Sequence, residues 1–368
     1  MDYRRLPIEI ESPEERGYGS IRCNLTESSV TDATLEDYGV DLSGLTVAYG
    51  DHRGLPELRG AIAEDAGCAP DDVLCTPGAA AALFFVATSV LDAGDHALIE
   101  HTNYSTNLET PRLIGAEVDP IRLHIEDGYR LDVERVASMV RHHTRLISVT
   151  TPHNPTGVDL SLDDLHALVE LAERNDCWLL VDETYREMAR PAPLPVAASL
   201  SPKAISVSSM SKTYGLPGLR LGWVVNRDPE LSETLLAAKE QIVICGSTLD
   251  ETASAQVLAR RTEHLPVIRQ AIDERVAIVA EWMADQSQWL EWVEPTGGVV
   301  CFPRVRREVI ADMDRFYEVL TEEHGTFVGE GHWFDTDRHH FRLGFGWPPL
   351  DELRAGLEAL AATAASLR

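Results

Sequence analysis

Lysine is almost missing from this 368-residue chain: Lys203, Lys212 and Lys239 are its only three. Basic residues total 32 against 60 acidic ones, a formal charge of −28. Such a chain lacks the basic face that phosphate neutralisation requires, which excludes nucleic acid as a partner. It lacks an anionic-lipid docking surface for the same reason. Long apolar runs are also missing. The best candidate, residues 79–91, is too short for a membrane span and carries polar residues. Residues 1–15 are charged and acidic, unlike a secretory leader. The six cysteines (Cys23, Cys68, Cys75, Cys177, Cys245, Cys301) form no CxxC pair, so they read as free thiols in a reducing cytoplasm. Thirteen histidines show no HExxH spacing, and no metal site is expected. The acidity itself fits a soluble enzyme that resists self-association, or a high-salt cytoplasm.

What is present is globular. The hydrophobic content of 44% is ordinary, and the length favours more than one lobe. Residues 49–243 alternate apolar strand-like runs with helical patterns. Strands are expected at 72–76, 96–100, 146–150, 177–181, 204–208 and 221–225. Helices are expected at 79–91 and 162–174. The second has Leu162, Leu165, Leu168, Leu171 and Ala172 on one face, acids outside, and Ser161 as N-cap. This alternation predicts an α/β domain with a mostly parallel sheet sandwiched by helices. Beyond residue 250 the pattern changes. A long helix over 250–285, interrupted near Pro266, precedes a Gly297-Gly298 turn, a helix at 310–323, a strand at 340–344 and a last helix from Pro349. These predict a smaller α+β domain. The expected division is 1–48 packing on the small domain, 49–270 as the large domain and 271–368 as the small one.

Several segments carry chemistry. In Ser208-Ser209-Met210-Ser211-Lys212, a strand ends in a serine-rich turn and a lysine, with Arg220 eight residues on. Hydroxyls and a guanidinium fork suit a phosphate dianion, and such a lysine can bond to a carbonyl cofactor. In so lysine-poor a chain, Lys212 is not surface decoration. Asp182, in Asp182-Glu183-Thr184-Tyr185, closes an apolar run, the strand end where ligands bind in parallel sheets. It can pair with a protonated pyridine nitrogen, while Tyr185 donates to a ring oxygen. Asn154 lies between Pro152 and Pro155, a rigid setting for its amide. Pro77-Gly78-Ala79-Ala80 joins a strand to a helix, whose first N–H groups can bind phosphate. Tyr104 follows a strand end and can stack on a ring. Arg342 sits in an apolar strand, where it needs an anionic partner such as a substrate carboxylate.

Taken together, Asn154-Pro155-Thr156-Gly157, Asp182 to Tyr185 and Ser209 to Arg220 resemble the fold-type-I pyridoxal-phosphate enzymes, and among them the class I/II aminotransferases. The resemblance implies an aspartate-aminotransferase-like fold and pyridoxal 5'-phosphate as cofactor. It implies that Lys212 carries the cofactor and shuttles a proton, and that Asp182 binds its pyridine nitrogen. Tyr185 and Asn154 would bind the ring hydroxyl. Ser209, Arg220 and the amides of Ala79 and Ala80 would hold the phosphate. Tyr104 would stack on the ring and Arg342 take the α-carboxylate. Tyr49 would reach the phosphate of a neighbouring subunit, which implies a homodimer. The reaction implied is ping-pong transfer of an amino group between an L-amino acid and a 2-oxo acid. One departure stands out. Where the family has an Asn-Leu-x-x-Gly-type segment beside the substrate, this chain has Asn24-Leu25-Thr26-Glu27-Ser28-Ser29. Glu27, with Asp250 or Glu251, is therefore expected to face the substrate and to favour a cationic or polar amino acid over an acidic one. Two other readings compete. The same residues would serve a lyase, a decarboxylase, or a cyclase or oxidase acting on an amino acid. A non-catalytic cofactor-binding sensor of a transcription regulator would need a DNA-binding domain ahead of the fold, and the roughly 48 residues before Tyr49 are not basic.

Overall fold

The computed structural model describes residues 3–368, so the first two residues of the N-terminal segment lie outside it. The described residues form thirteen strands, in chain order β1 Cys23–Leu25, β2 Val73–Thr76, β3 His96–His101, β4 Glu117–Arg122, β5 Thr144–Thr150, β6 Trp178–Asp182 and β7 Ala204–Ser209. Then come β8 Gly222–Asn226, β9 Leu290–Glu291, β10 Val300–Cys301, β11 Arg304–Val305, β12 Thr326–Glu330 and β13 Phe341–Gly344. A seven-stranded sheet has the order β2-β8-β7-β6-β5-β3-β4. Only β8 runs against its neighbours. The central strands are buried along nearly their whole length, as a sheet covered on both faces requires. One face packs under helices Gly78–Val90 and Pro229–Glu240. The other packs under helices that include Leu162–Arg174.

The helix Leu162–Arg174 forms over the expected residues because its start is fixed chemically. Ser161 Oγ accepts the N–H of Asp164 at 3.0 Å, and the Asp164 carboxylate receives the Ser161 hydroxyl at 2.6 Å. A cap of this type contributes about 1 kcal/mol. Leu165, Leu168, Leu171 and Ala172 are buried as expected, whereas Leu162 is exposed.

Other expectations need correction. Strand β4 was not anticipated: it contains Pro120, whose missing N–H is tolerated because β4 is an edge strand. The long helical stretch breaks at Arg260 (φ −113°, ψ 16°), not at Pro266, giving helices Thr248–Ala259 and Arg261–Asp285. Pro266 stands in the second turn of the latter, where it removes a single ladder bond. The helix expected from residue 310 begins at Met313, because Asp312 caps it by accepting the Arg315 N–H at 3.0 Å. A second sheet has the order β1-β12-β13-β10. Its strand β1, from the N-terminal segment, pairs in parallel with β12. Three residues of strand were too few to show a pattern. Helices Arg261–Asp285 and Leu350–Ser366 pack on this part of the molecule. No helix among the described residues is long and apolar enough to cross a membrane.

Candidate active site

A cavity of about 400 Å³ opens where the parallel strands end, with segments before β1 and around β13 forming its opposite wall. Strand β6 delivers Asp182, which is buried. The Thr184 N–H and hydroxyl both reach its Oδ1, at 3.1 and 2.7 Å. Burial pushes this carboxyl above its ordinary value, while the two Thr184 bonds and the charge of Lys212 oppose the shift. Among the described residues nothing donates to Oδ2. A buried carboxyl with one oxygen to spare suits a cationic N–H donor from a ligand.

Lys212 lies in the turn after β7 and lines the same cavity. Its backbone carbonyl accepts the Val30 N–H at 3.2 Å, which ties the turn to the N-terminal segment. Burial lowers its ammonium below the ordinary lysine value; Glu27 works against that and Arg342 with it. A neutral amine is thus available at lower pH than for a solvated lysine.

The anion cradle comes from the antiparallel strand. Because β8 begins where β2 and β7 end, Gly222 is paired with both Thr76 and Ser209. This brings the residue before β8, the one after β2 and the last of β7 together. A Cβ on Gly222 would lie 2.5 Å from the Ala79 nitrogen, so the helix start can approach only glycine. Gly78 has φ +80°, and a Cβ there would stand 2.6 Å from Arg220 Nη2. Ala79 and Ala80 open the helix Gly78–Val90 and line the cavity with N–H groups that the first turn leaves unspent. The exposed Arg220 spends one N–H on the Pro217 carbonyl at 2.8 Å and has no carboxylate partner among the described residues. Ser209 is buried beside them. Hydroxyl, guanidinium and amides thus converge on one spot, and Asp182 and Lys212 line the same space. Pyridoxal phosphate, with its dianion, ring nitrogen and carbonyl, fits this donor set.

A chain of hydrogen bonds links the two walls. Arg342 Nη1 donates to Asn154 Oδ1 at 3.1 Å, Asn154 Nδ2 donates to the Tyr185 oxygen at 3.3 Å, and the Tyr185 hydroxyl donates to Ser28 Oγ at 3.0 Å. Burial raises the Tyr185 phenol to about 12, so it remains a proton donor near neutrality. The loop that carries Asn154 is pinned beneath by His153, whose Nε2 contacts the Thr102 carbonyl at 2.7 Å. Burial pushes that imidazole down to about 4, so it is neutral. Arg342 itself is buried and also donates to the Thr26 carbonyl at 2.6 Å.

The site residues expected from the sequence line this cavity except Tyr49, which is 86% exposed outside it, and Asp250 and Glu251, the latter turned instead to the Leu55 N–H at 2.8 Å. Tyr104 stands at its mouth at the start of helix Ser105–Ile114. Glu27 accepts the Tyr18 hydroxyl at 3.1 Å. Sequence reasoning missed Glu14, Ser28, Asn103, Ser211, Trp333 and Phe334, which also line it. Ser28 and Ser211 stood inside quoted segments, and Asn103 directly precedes Tyr104 at a strand end. The others come from segments without a motif.

The chain belongs to the aminotransferase class I and II family, whose model matches residues 24–360. It is a pyridoxal-phosphate-dependent aminotransferase. It is 31% identical to the arginine–pyruvate transaminase of Pseudomonas aeruginosa, over 83% of this chain and 80% of that one. It is 28% identical to capreomycidine synthase of Streptomyces vinaceus, over 87% and 82%. Among solved structures, a pyridoxal-phosphate-dependent aminotransferase from Streptococcus suis superposes with a TM-score of 0.92 at 28% identity, covering 100% of this chain and 99% of that one.

Proposed function

We propose that Lys212 is the proton carrier of a ping-pong transamination between an L-amino acid and a 2-oxo acid. When bound, pyridoxal phosphate supplies a carbonyl that exchanges with amines and a ring that withdraws electrons from the substrate Cα. The protein then has four tasks. Lys212 Nζ, neutral after displacement, takes the proton from Cα. Asp182 holds the proton on the ring nitrogen, and its burial strengthens that interaction. Tyr185 and Asn154 donate to the ring oxygen, Tyr104 covers the ring, and Ser209, Arg220, Ala79 and Ala80 hold the phosphate. Arg342 and Asn154 take the α-carboxylate, and Glu27 faces the rest of the substrate. What carries this reading is a single convergence: a half-buried lysine with a lowered ammonium, a buried carboxyl and an anion cradle share one cavity.

The same reading makes the chain a homodimer in which Tyr49 completes a partner's phosphate site. Exposed Val47, Tyr49, Ile242 and Ile244 support it. The two stretches they occupy are joined near Ala48, whose carbonyl accepts the Thr248 hydroxyl at 2.7 Å. We also divide the chain into residues 1–48, 49–270 and 271–368, which the two sheets support.

Borohydride reduction tests the assignment. It should fix the cofactor to Lys212 in the wild type and to nothing in Lys212→Ala. Transamination in that variant should fall at least ~10⁴-fold, the upper range for a general base. Fixation at Lys203 or Lys239 would refute it. The likeness to capreomycidine synthase keeps one other reading in view, a cyclase on the same cofactor. Amine-form cofactor appearing with amino acid alone supports transamination.

A further inference from the structure

Transamination uses the cations of the cavity but not all of its carboxylates. Glu9, Glu14, Glu27 and Asp182 line it. Asp182 serves the ring nitrogen. Glu9 is already spent, since its two oxygens receive the Leu6 N–H at 2.8 Å and the Ser105 hydroxyl at 2.9 Å. Glu14, on the turn Pro13–Arg16, and Glu27, just after β1, remain. Neither has a salt-bridge partner among the described residues. Their charges are felt at both Lys212 and Arg342. Tyr18 joins the pair: its hydroxyl donates to Glu27 at 3.1 Å, and its ring stacks on Trp347 at 5.8 Å and 22°. Burial first, and then Glu27 and Glu14, push that phenol up, so it stays a donor.

Arg342 fixes the other end of the site. It is only 5% exposed, its two terminal nitrogens hold Asn154 and Thr26, and its Nε is buried without a partner. An amino acid anchored there by its α-carboxylate lies in a cavity whose free charges are the negative Glu14 and Glu27. A side-chain carboxylate would be repelled, and a neutral side chain would leave both acids unmatched. A planar guanidinium has five N–H donors in a fixed fork and can bridge two carboxylates, which an ammonium does less well.

We propose that Glu14 and Glu27 form a two-carboxylate clamp for a guanidinium-bearing amino donor, with Tyr18 as the residue that positions Glu27. The clamp rests on the aminotransferase reading for its substrate. Because both charges are also felt at Lys212, their removal acts on proton transfer for every donor alike, and the clamp is read from the ratio between donors.

The test uses the holoenzyme with L-arginine, L-lysine, L-norleucine and L-glutamate. Calorimetry gives binding, and conversion of the cofactor to its amine form gives kcat/KM. Wild type should prefer arginine to lysine and lysine to norleucine, with glutamate poorest. Glu27→Gln should lower kcat/KM for arginine roughly tenfold more than for norleucine, as loss of one charge-assisted bond implies. Glu14→Gln should act in the same direction but less, since Glu14 is exposed. Tyr18→Phe should weaken arginine binding without touching norleucine. The double variant Glu14→Gln/Glu27→Gln should lose the arginine preference, with an unchanged Tm reporting that it is folded. An unchanged arginine preference, or an equal fall for arginine and norleucine, overturns the clamp. Arginine binding that depends on Glu27 with no amine-form cofactor overturns the transamination reading and leaves the clamp standing.

Discussion

The floor of the cavity is made of strand ends, and its wall is made of segments that no central strand supports. Asn154, Asp182, Ser209 and Lys212 follow or close β5, β6 and β7, which pair continuously in one sheet. Glu14, Glu27 and Ser28 come from the N-terminal segment, and Trp333 and Phe334 from a short turn after β12. Asp182 and Ser209 are buried, Asn154 and Lys212 half-buried, and neighbours lock them: Thr184 on Asp182, Asn154 on Tyr185. The wall carboxylates stand nearer solvent, and Glu14 is exposed. The difference separates two jobs. Burial shifts the titration of floor groups and fixes their geometry, which proton transfer needs. Exposure leaves the wall charges screened and replaceable, which suits the choice of donor.

Three measurements sharpen or break this contrast. The largest effect is expected at the floor. Asp182→Ala should cost roughly 10²–10³-fold in kcat, the scale for removing one buried charge-stabilising partner. It should do so equally for cationic and neutral donors. A loss confined to one donor class would move Asp182 into the specificity wall.

Next is a stability effect from Glu100, a buried carboxyl of β3 in the same sheet that does not line the cavity. Burial raises the Glu100 carboxyl to about 8, against the Thr150 N–H bond and with help from Asp182. Its folded value therefore lies above the unfolded 4.5. The stability it contributes is full below the unfolded value and is lost as pH rises through about 8. Glu183, raised to about 7, and Asp159, raised to about 6, act in the same sense. Glu100→Gln should flatten the pH dependence of Tm between 5 and 8. The gain at the upper end should be on the order of 3 kcal/mol. Parallel curves for the two proteins would show that Glu100 does not titrate differently on folding.

The smallest effect is expected at the wall. Raising salt from about 0.05 to about 0.5 M should raise KM for a cationic donor by roughly threefold, since exposed charges are screened. The value of kcat should hold. A fall in kcat with unchanged KM would locate the salt-sensitive charges in the floor and erase the contrast.

The parallel strands and the helix Leu162–Arg174 were legible because local signals agree. Apolar runs end at turn residues, and Ser161 and Asp164 cap the helix. Edge strand β4 was hidden by Pro120, and β1 by its three-residue length. The break at Arg260 could not be read because an arginine carries no breaking signal. There the guanidinium reaches the Tyr38 carbonyl at 3.2 Å and Glu263 at 2.8 Å, partners set by the fold and by the next helix.

By itself the sequence determined the class of chemistry. A lone lysine beside a serine turn, a strand-end aspartate and a proline-flanked asparagine carry their roles in local segments, because each follows directly from a strand. Tertiary structure alone decided the company those residues keep. Gly222 meets Thr76 and Ser209 only through antiparallel pairing, and Arg342 reaches Asn154 only across the two sheets. Glu14 and Glu27 likewise face Lys212 only because β1 pairs with β12 far along the chain. Contacts between segments this distant depend on packing, and no local pattern encodes them.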